Sequence, residues 1–209
     1  MSASKTVAKR SSAPWKVVLI CEDETDGRVA KKLAHLVCPN VHLDYLPARG
    51  CGEIKRKLDK LVDDARRDVG RLGCVAVLLD GDQKNLDRDE PHRAIRQGCK
   101  RLHVPFVACL QDMEAWLLAD PGCRTYLQLP PLKGRTDGLA GTKSQVAAAY
   151  YKVSGRSYEK RLARQKLADK LTGPDLTANQ SLAAAVTALL DCQPRKLSQS
   201  AHRSSKPAG

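Results

Sequence analysis

The chain reads as an α/β protein: a roughly four-stranded, mainly parallel sheet flanked by helices, with a helical C-terminal extension. Three observations predict this. Two continuous apolar runs, residues 17–21 and 74–79, have the pattern of strands buried on both faces. Helical periodicities alternate with the strand-like segments, which is the signature of βαβ units. After about residue 110 the periodicity is helical throughout.

The elements follow in order. Val17 to Cys21 is a strand that ends abruptly in Glu22-Asp23-Glu24-Thr25-Asp26-Gly27. Val29, Leu33, Leu36 and Val37 then recur at helical spacing and predict a helix over 26–38. Val41, Leu43 and Tyr45 alternate with His42 and Asp44, a strand with one more polar face. Ile54, Leu58, Leu61, Val62, Ala65 and Val69 mark a helix over 53–70. The run 74–79 leads into Asp80-Gly81-Asp82, and Ala94, Ile95, Gly98, Cys99 and Leu102 form another helical face. Residues 105–110 are a short fourth strand, followed by Asp112 and Glu114. A short helix over 114–120 is anchored by Trp116 and Leu117. The Pro- and Gly-rich stretch 121–142 predicts a long loop or lid. Helices near 143–152, 157–171 and 180–191 complete the extension. The resulting division is a basic disordered tail (1–15), an α/β domain (16–120), a loop and helical extension packed on it (121–192), and a second basic disordered tail (193–209).

Composition narrows the function classes. Hydrophobic residues make up 42% of the 209 and aromatics only 4%, so the core is built from Val, Leu, Ile and Ala. The net charge is +13, but eight of the positive charges lie in acid-free end segments: Lys5, Lys9, Arg10 and Lys16, and Arg195, Lys196, Arg203 and Lys206. That leaves +5 for residues 17–192. Such tails either hold a phosphate backbone or simply solubilise the chain. None of the eight cysteines forms a C-x-x-C pair or stands at zinc spacing with histidine, which is the usage of a reducing compartment. With no signal-peptide pattern and no run of about 18 apolar residues, the chain is expected to be cytoplasmic, with no membrane partner. The oligomeric state is not legible.

The acids carry the chemical information. In a parallel sheet, ligand sites form beyond the carboxyl ends of the strands, and three of the four predicted strands run into acids there. Clustered carboxylates repel one another and raise each other's pKa. A hard divalent cation relieves that, and Mg²⁺ or Mn²⁺ takes oxygen ligands. Asp80 and Asp82, two apart on an extended chain, point the same way. Gly81 between them gives room for a phosphate or metal to approach the backbone. Glu22 at a strand end and Asp26 in a first helical turn complete the set, and Glu114 stands between a functional and a structural role. Asp23 and Glu24 read as helix-start or solvent acids.

These segments resemble the Toprim pattern. The strand followed by Glu22-Asp23-Glu24-Thr25-Asp26 is similar to the "E-G-x-T-E" opening of small Toprim proteins, and Asp80-Gly81-Asp82 to their "D-x-D". The segment Glu114-Ala115-Trp116-Leu117-Leu118-Ala119-Asp120 resembles the "E-x-W-L-L-x-D" signature of a prokaryotic branch near the OLD-type nuclease Toprim domains and the RloB-like defence proteins. The likeness covers about residues 16–120. It departs where Asp23 replaces Gly and Asp26 replaces Glu. The resemblance implies a Toprim, Rossmann-like fold and a Mg²⁺- or Mn²⁺-dependent nuclease. Glu22, Asp80 and Asp82 would be catalytic, and Glu22, Asp26, Asp80, Asp82 and Glu114 would be metal ligands. It also implies an SMC-like or ABC-type ATPase partner in antiphage defence.

Other candidates are weaker. No tyrosine lies in the acid-bearing loops, so hydrolysis is preferred over a covalent intermediate. Gly141-Thr142-Lys143-Ser144 lacks both the spacing and the preceding strand of a Walker A loop. Arg49 after a strand, Lys143 at a helix start, and Lys160, Arg161 and Arg164 on one basic helix are the candidate nucleic-acid contacts. A solvated helix face accounts for the last three equally well. Three functions stand: a metal-dependent nuclease on DNA or RNA, a non-catalytic Toprim-like binding or regulatory module of an ATPase complex, and a phosphoryl-transfer enzyme on a small substrate.

Overall fold

In a computed structural model that describes residues 14–70, 73–81 and 85–192, four parallel strands form one sheet. They are β1 (Trp15–Cys21), β2 (Val41–Pro47), β3 (Cys74–Asp80) and β4 (Phe106–Cys109), in the order β2-β1-β3-β4. Helix α1 (Glu24–Val37) connects β1 to β2, α2 (Cys51–Val69) connects β2 to β3, and α3 (His92–Arg101) precedes β4. The extension comprises α4 (Met113–Leu118), α5 (Pro121–Tyr126), α6 (Thr142–Ser154), α7 (Lys160–Ala168) and α8 (Gln180–Asp191).

The apolar runs form strands because both faces of the sheet are covered. On one face Val18, Ile20, Val75, Val77 and Leu79 pack against Ile54, Leu58, Val62 and Ile95 from α2 and α3. On the other, Val17, Leu19, Ala76 and Leu78 pack against Val29 and Leu33 of α1 and Leu182, Val186 and Leu189 of α8. The extension thus shares the core of the sheet. Among the described residues no helix is long and apolar enough to cross a membrane.

The sheet order has a consequence for function. From β1 the chain steps outward to β2, then returns past β1 to β3 and continues to β4. Between β1 and β3 the winding direction reverses. In open α/β sheets this switch point leaves a crevice at the carboxyl edge, where ligands bind. Glu22 and Asp80 stand at the ends of the two strands that flank it.

The structure corrects several expectations. Trp15, placed in the N-terminal tail, is the first residue of β1 and is buried. The stretch 121–142 is not one long loop. Asp120 accepts a hydrogen bond from the Cys123 amide at 3.0 Å, and Pro121 sits at the start of α5, where its missing N–H costs nothing. The helix expected over 157–171 is the shorter α7, because the Glu159 carboxylate caps the amides of Arg161 and Leu162. The rest of both predicted tails lies outside the described residues.

The cysteines are not all free thiols. Cys74 at the start of β3 and Cys192 after α8 form a disulfide with a Cα separation of 5.6 Å. Which cysteines pair cannot be deduced from spacing alone. The bond ties the end of the extension to the sheet across 118 residues of chain, and closing so long a loop restricts the unfolded state strongly. Cys192→Ser is therefore expected to lower the unfolding free energy by about 2–4 kcal/mol, read from urea titrations without reductant. Dithiothreitol should reproduce the loss in the parent chain, and equal midpoints for parent and variant would show that the bond does not form in solution.

Candidate acidic site at the sheet edge

Each acid reaches the site for a local reason. Asp23 leaves β1 in extended conformation and caps α1, its Oδ1 accepting the amides of Thr25 at 2.8 Å and Asp26 at 3.0 Å. That cap turns Asp26 inward on the first helical turn, where it is 2% exposed. Glu22 folds across the switch point, and its Oε1 accepts the backbone amide of Asp80 at 3.0 Å. Glu114, on the first turn of α4, is fully buried. Carboxylates from the ends of β1, β3 and β4 thus converge. Asp82 lies outside the described residues.

At the centre is Arg164, placed by the sequence on an exposed basic face. The structure buries it at 1% exposure. Its Nε donates to Glu114 Oε1 and its Nη2 to Glu114 Oε2, both at 2.7 Å, a bidentate pair. Nη1 donates to Asp26 Oδ1, and Nη2 also reaches Asp80 Oδ2 at 3.2 Å. The signal was present in α7: Ala163, Arg164, Leu167 and Ala168 form its buried stripe, so Arg164 is a lone cation on an apolar face. Lys160, one turn earlier and half-buried, donates to Asp23 Oδ2 at 2.6 Å. Tyr158 donates to Glu114 Oε1 at 2.6 Å.

The electrostatics follow. Burial alone would raise Glu114, but the hydrogen bonds from Arg164 and Tyr158 outweigh it and hold the carboxyl below its ordinary value. Burial would likewise raise Asp23, yet Lys160 and Thr25 bring it down to about 2. Asp26 goes the other way: burial dominates, and despite Arg164 and Lys160 its pKa is pushed up to about 6. Its Oδ2 is buried without a hydrogen-bond partner. Among the ion pairs of the described residues, Lys160 reaches Asp23 and Asp26, and Arg164 reaches Asp26, Asp80 and Glu114.

The "E-x-W-L-L-x-D" segment acquires a structural meaning. Glu114 grips Arg164 of α7, Trp116 Nε1 donates to Ser181 Oγ of α8 at 2.8 Å, and Asp120 accepts the amides of Thr172 at 3.1 Å and Gly173 at 2.8 Å. All three polar positions join α4 and its C-terminal end to later parts of the extension. Gly81 also differs from expectation. Its amide donates to the Cys109 carbonyl at 2.7 Å, and a side chain there would collide with that carbonyl. The glycine permits close approach of β4.

The metal expectation narrows accordingly. Both oxygens of Glu114 are engaged by Arg164, so Glu114 does not fit as a metal ligand in this arrangement, whereas Asp26 shares only Oδ1 with Arg164 and its Oδ2 has no hydrogen-bond partner. Among the described residues no group of three or more His, Cys, Asp or Glu is arranged to hold a metal ion. Glu22, partly exposed, lies against the Asp80 backbone at the switch point, and Asp80 also reaches Arg164, so these two are the remaining candidates for Mg²⁺. That ion commonly binds through one or two carboxylates, with waters and substrate phosphate completing its shell. Of the nucleic-acid candidates, Arg49, Lys143 and Arg161 are exposed and Lys160 lies at the rim of the acid cluster. The structure does not gather Arg49, Lys143 and Arg161 into the ion pairs of the site.

Removing Arg164 leaves buried carboxylates uncompensated. Arg164→Met is expected to destabilise the fold by about 3–5 kcal/mol in denaturant unfolding. Adding Glu114→Gln should recover part of that loss, since it removes the charge Arg164 chiefly balances. Strictly additive effects of the two changes would show that the pair is not coupled.

Comparison with protein-family models, with curated proteins and with solved structures finds no match in any of the three.

Proposed function

We propose that the chain is a metal-dependent hydrolase of nucleic-acid phosphodiester bonds, with Glu22 and Asp80 as the working carboxylates. The observation that carries this reading is the contact of the Glu22 carboxylate with the Asp80 backbone amide at the switch point. The crevice there is where open α/β sheets place ligands. A bound Mg²⁺ or Mn²⁺ would supply Lewis-acid activation of water and neutralise phosphate charge. The chain's own residues prepare the place. The Asp80 amide orients Glu22, Arg164 fixes Asp80 from behind, and Lys160 at the rim offers an ammonium to an incoming phosphate. Asp82, two residues beyond Asp80, is a further candidate ligand. The Toprim resemblance supports the same assignment and brings an ATPase partner into the proposal, while a cytoplasmic setting belongs to it through the sequence reading.

One observation favours a second reading. Arg164 occupies the position between Asp26, Asp80 and Glu114, and a guanidinium so placed makes part of the acid cluster a structural joint. On that reading the chain is a non-catalytic binding or regulatory module.

Cleavage assays on plasmid, single-stranded DNA and transfer RNA separate the two. The nuclease reading expects cutting that requires Mn²⁺ or Mg²⁺, stops with EDTA, and falls at least about 100-fold in Glu22→Gln and Asp80→Asn, a loss of about 2.7 kcal/mol in transition-state stabilisation. Circular dichroism should show both variants folded. Metal-independent cutting, or full activity in Asp80→Asn, would reject it. Absence of cutting on every substrate, with metal present, would favour the binding module.

A further inference from the structure

Arg164 is not the only side chain that holds Asp80. His92, the first residue of α3, is buried at 1% exposure, and its Nε2 lies 3.3 Å from the Asp80 carbonyl oxygen. A carbonyl oxygen can only accept, so Nε2 carries the proton and donates. Three groups of Asp80 are thereby engaged. Its amide donates to Glu22 Oε1 at 3.0 Å, its carbonyl accepts from His92, and its Oδ2 accepts from Arg164 Nη2 at 3.2 Å.

Helical spacing brings the imidazole there. His92, Ile95 and Cys99 form the buried stripe of α3. Ile95 and Cys99 pack on the sheet face that α2 covers, with Val77 and Leu79 of β3. His92 is the polar member of this stripe, as Arg164 is the polar member of the stripe of α7. Ala163 and Leu167 of α7 belong to the core on the other face. Asp80 is therefore gripped by two helices whose apolar residues pack on opposite sides of the sheet.

As packing alone, an imidazole is a poor choice at this position. Its Nδ1 is buried without a hydrogen-bond partner. An unmet buried polar atom costs at least as much as one hydrogen bond to a carbonyl returns. What the imidazole adds over an apolar side chain is its hold on the main chain where β3 ends.

We infer that His92 is a positioning residue for the site at the switch point. It fixes the backbone of Asp80, the residue that supplies one working carboxylate and whose amide anchors the other, Glu22. It acts through Asp80 and not on the reacting atoms. The inference rests on the proposed role of Asp80 and adds to it a residue from α3.

The test begins with residue-resolved hydrogen exchange by NMR on the full chain in EDTA, comparing the parent with His92→Leu and His92→Gln. The glutamine keeps an N–H donor for the Asp80 carbonyl. His92→Leu is expected to speed exchange of the Asp80 and Gly81 amides about tenfold, the worth of one hydrogen bond, while Leu19 and Ile20 in β1 keep the parent rate. His92→Gln should stay near the parent throughout. A merely structural role would instead speed all four amides together, because the whole fold would open more often. That outcome, unchanged exchange at Asp80 and Gly81 in His92→Leu, or equal loss in His92→Gln would each overturn the inference. A second arm titrates Mn²⁺ by calorimetry, where His92→Leu should weaken affinity about 10-fold or more and His92→Gln should restore it. Equal affinity in His92→Leu and the parent would also overturn it. A parent chain that binds no Mn²⁺ removes the metal reading, and the exchange arm, run without metal, still decides whether His92 holds Asp80.

Discussion

A single buried guanidinium organises this molecule. Arg164 sits among carboxylates that begin at the ends of three parallel strands, and it comes from a helix that the sheet itself does not contain. An isolated buried charge is very costly, and several like charges in one place are worse. Each partner therefore makes the others tolerable: the acids cannot be buried without Arg164, and Arg164 cannot be buried without Glu114. The extension is thus tied to the sheet electrostatically as well as by the apolar packing of α8.

This tie divides the acid cluster into two parts. Glu114 and Asp26 hold Arg164 and belong to the joint between sheet and extension. Asp80 also reaches Arg164, at the longer distance of 3.2 Å, and with Glu22 lies at the switch point, where Glu22 remains partly exposed and Lys160 stands at the rim. The division reconciles a cluster rich in carboxylates with the absence of a three-ligand metal cage among the described residues. In the proposed chemistry two acids would be enough, since Mg²⁺ takes much of its shell from water and phosphate.

The sheet was legible because its strands are apolar on both faces, a pattern few other structures produce. The convergence of Glu22, Asp26, Asp80 and Glu114 was legible from one topological rule, that the carboxyl ends of parallel strands share an edge. What was not legible depends on interactions between distant segments. Arg164 reads as one more basic residue on a basic helix until its neighbours Ala163, Leu167 and Ala168 are seen to face the core. The Cys74–Cys192 bond joins residues 118 positions apart, and nothing near either cysteine announces the other. Gly81 illustrates the limit of local reasoning: the glycine was correctly seen as a point of close approach, but what approaches is the backbone of β4.

The most direct test of this division is a crystal soaked in Mn²⁺ and measured at the manganese absorption edge. The account expects an anomalous peak coordinated by Glu22 and Asp80, with Arg164 still paired to Glu114 and Asp26. A peak bound by Glu114 or Asp26, with Arg164 displaced from them, would contradict it, as would a metal-soaked crystal with no peak at the switch point.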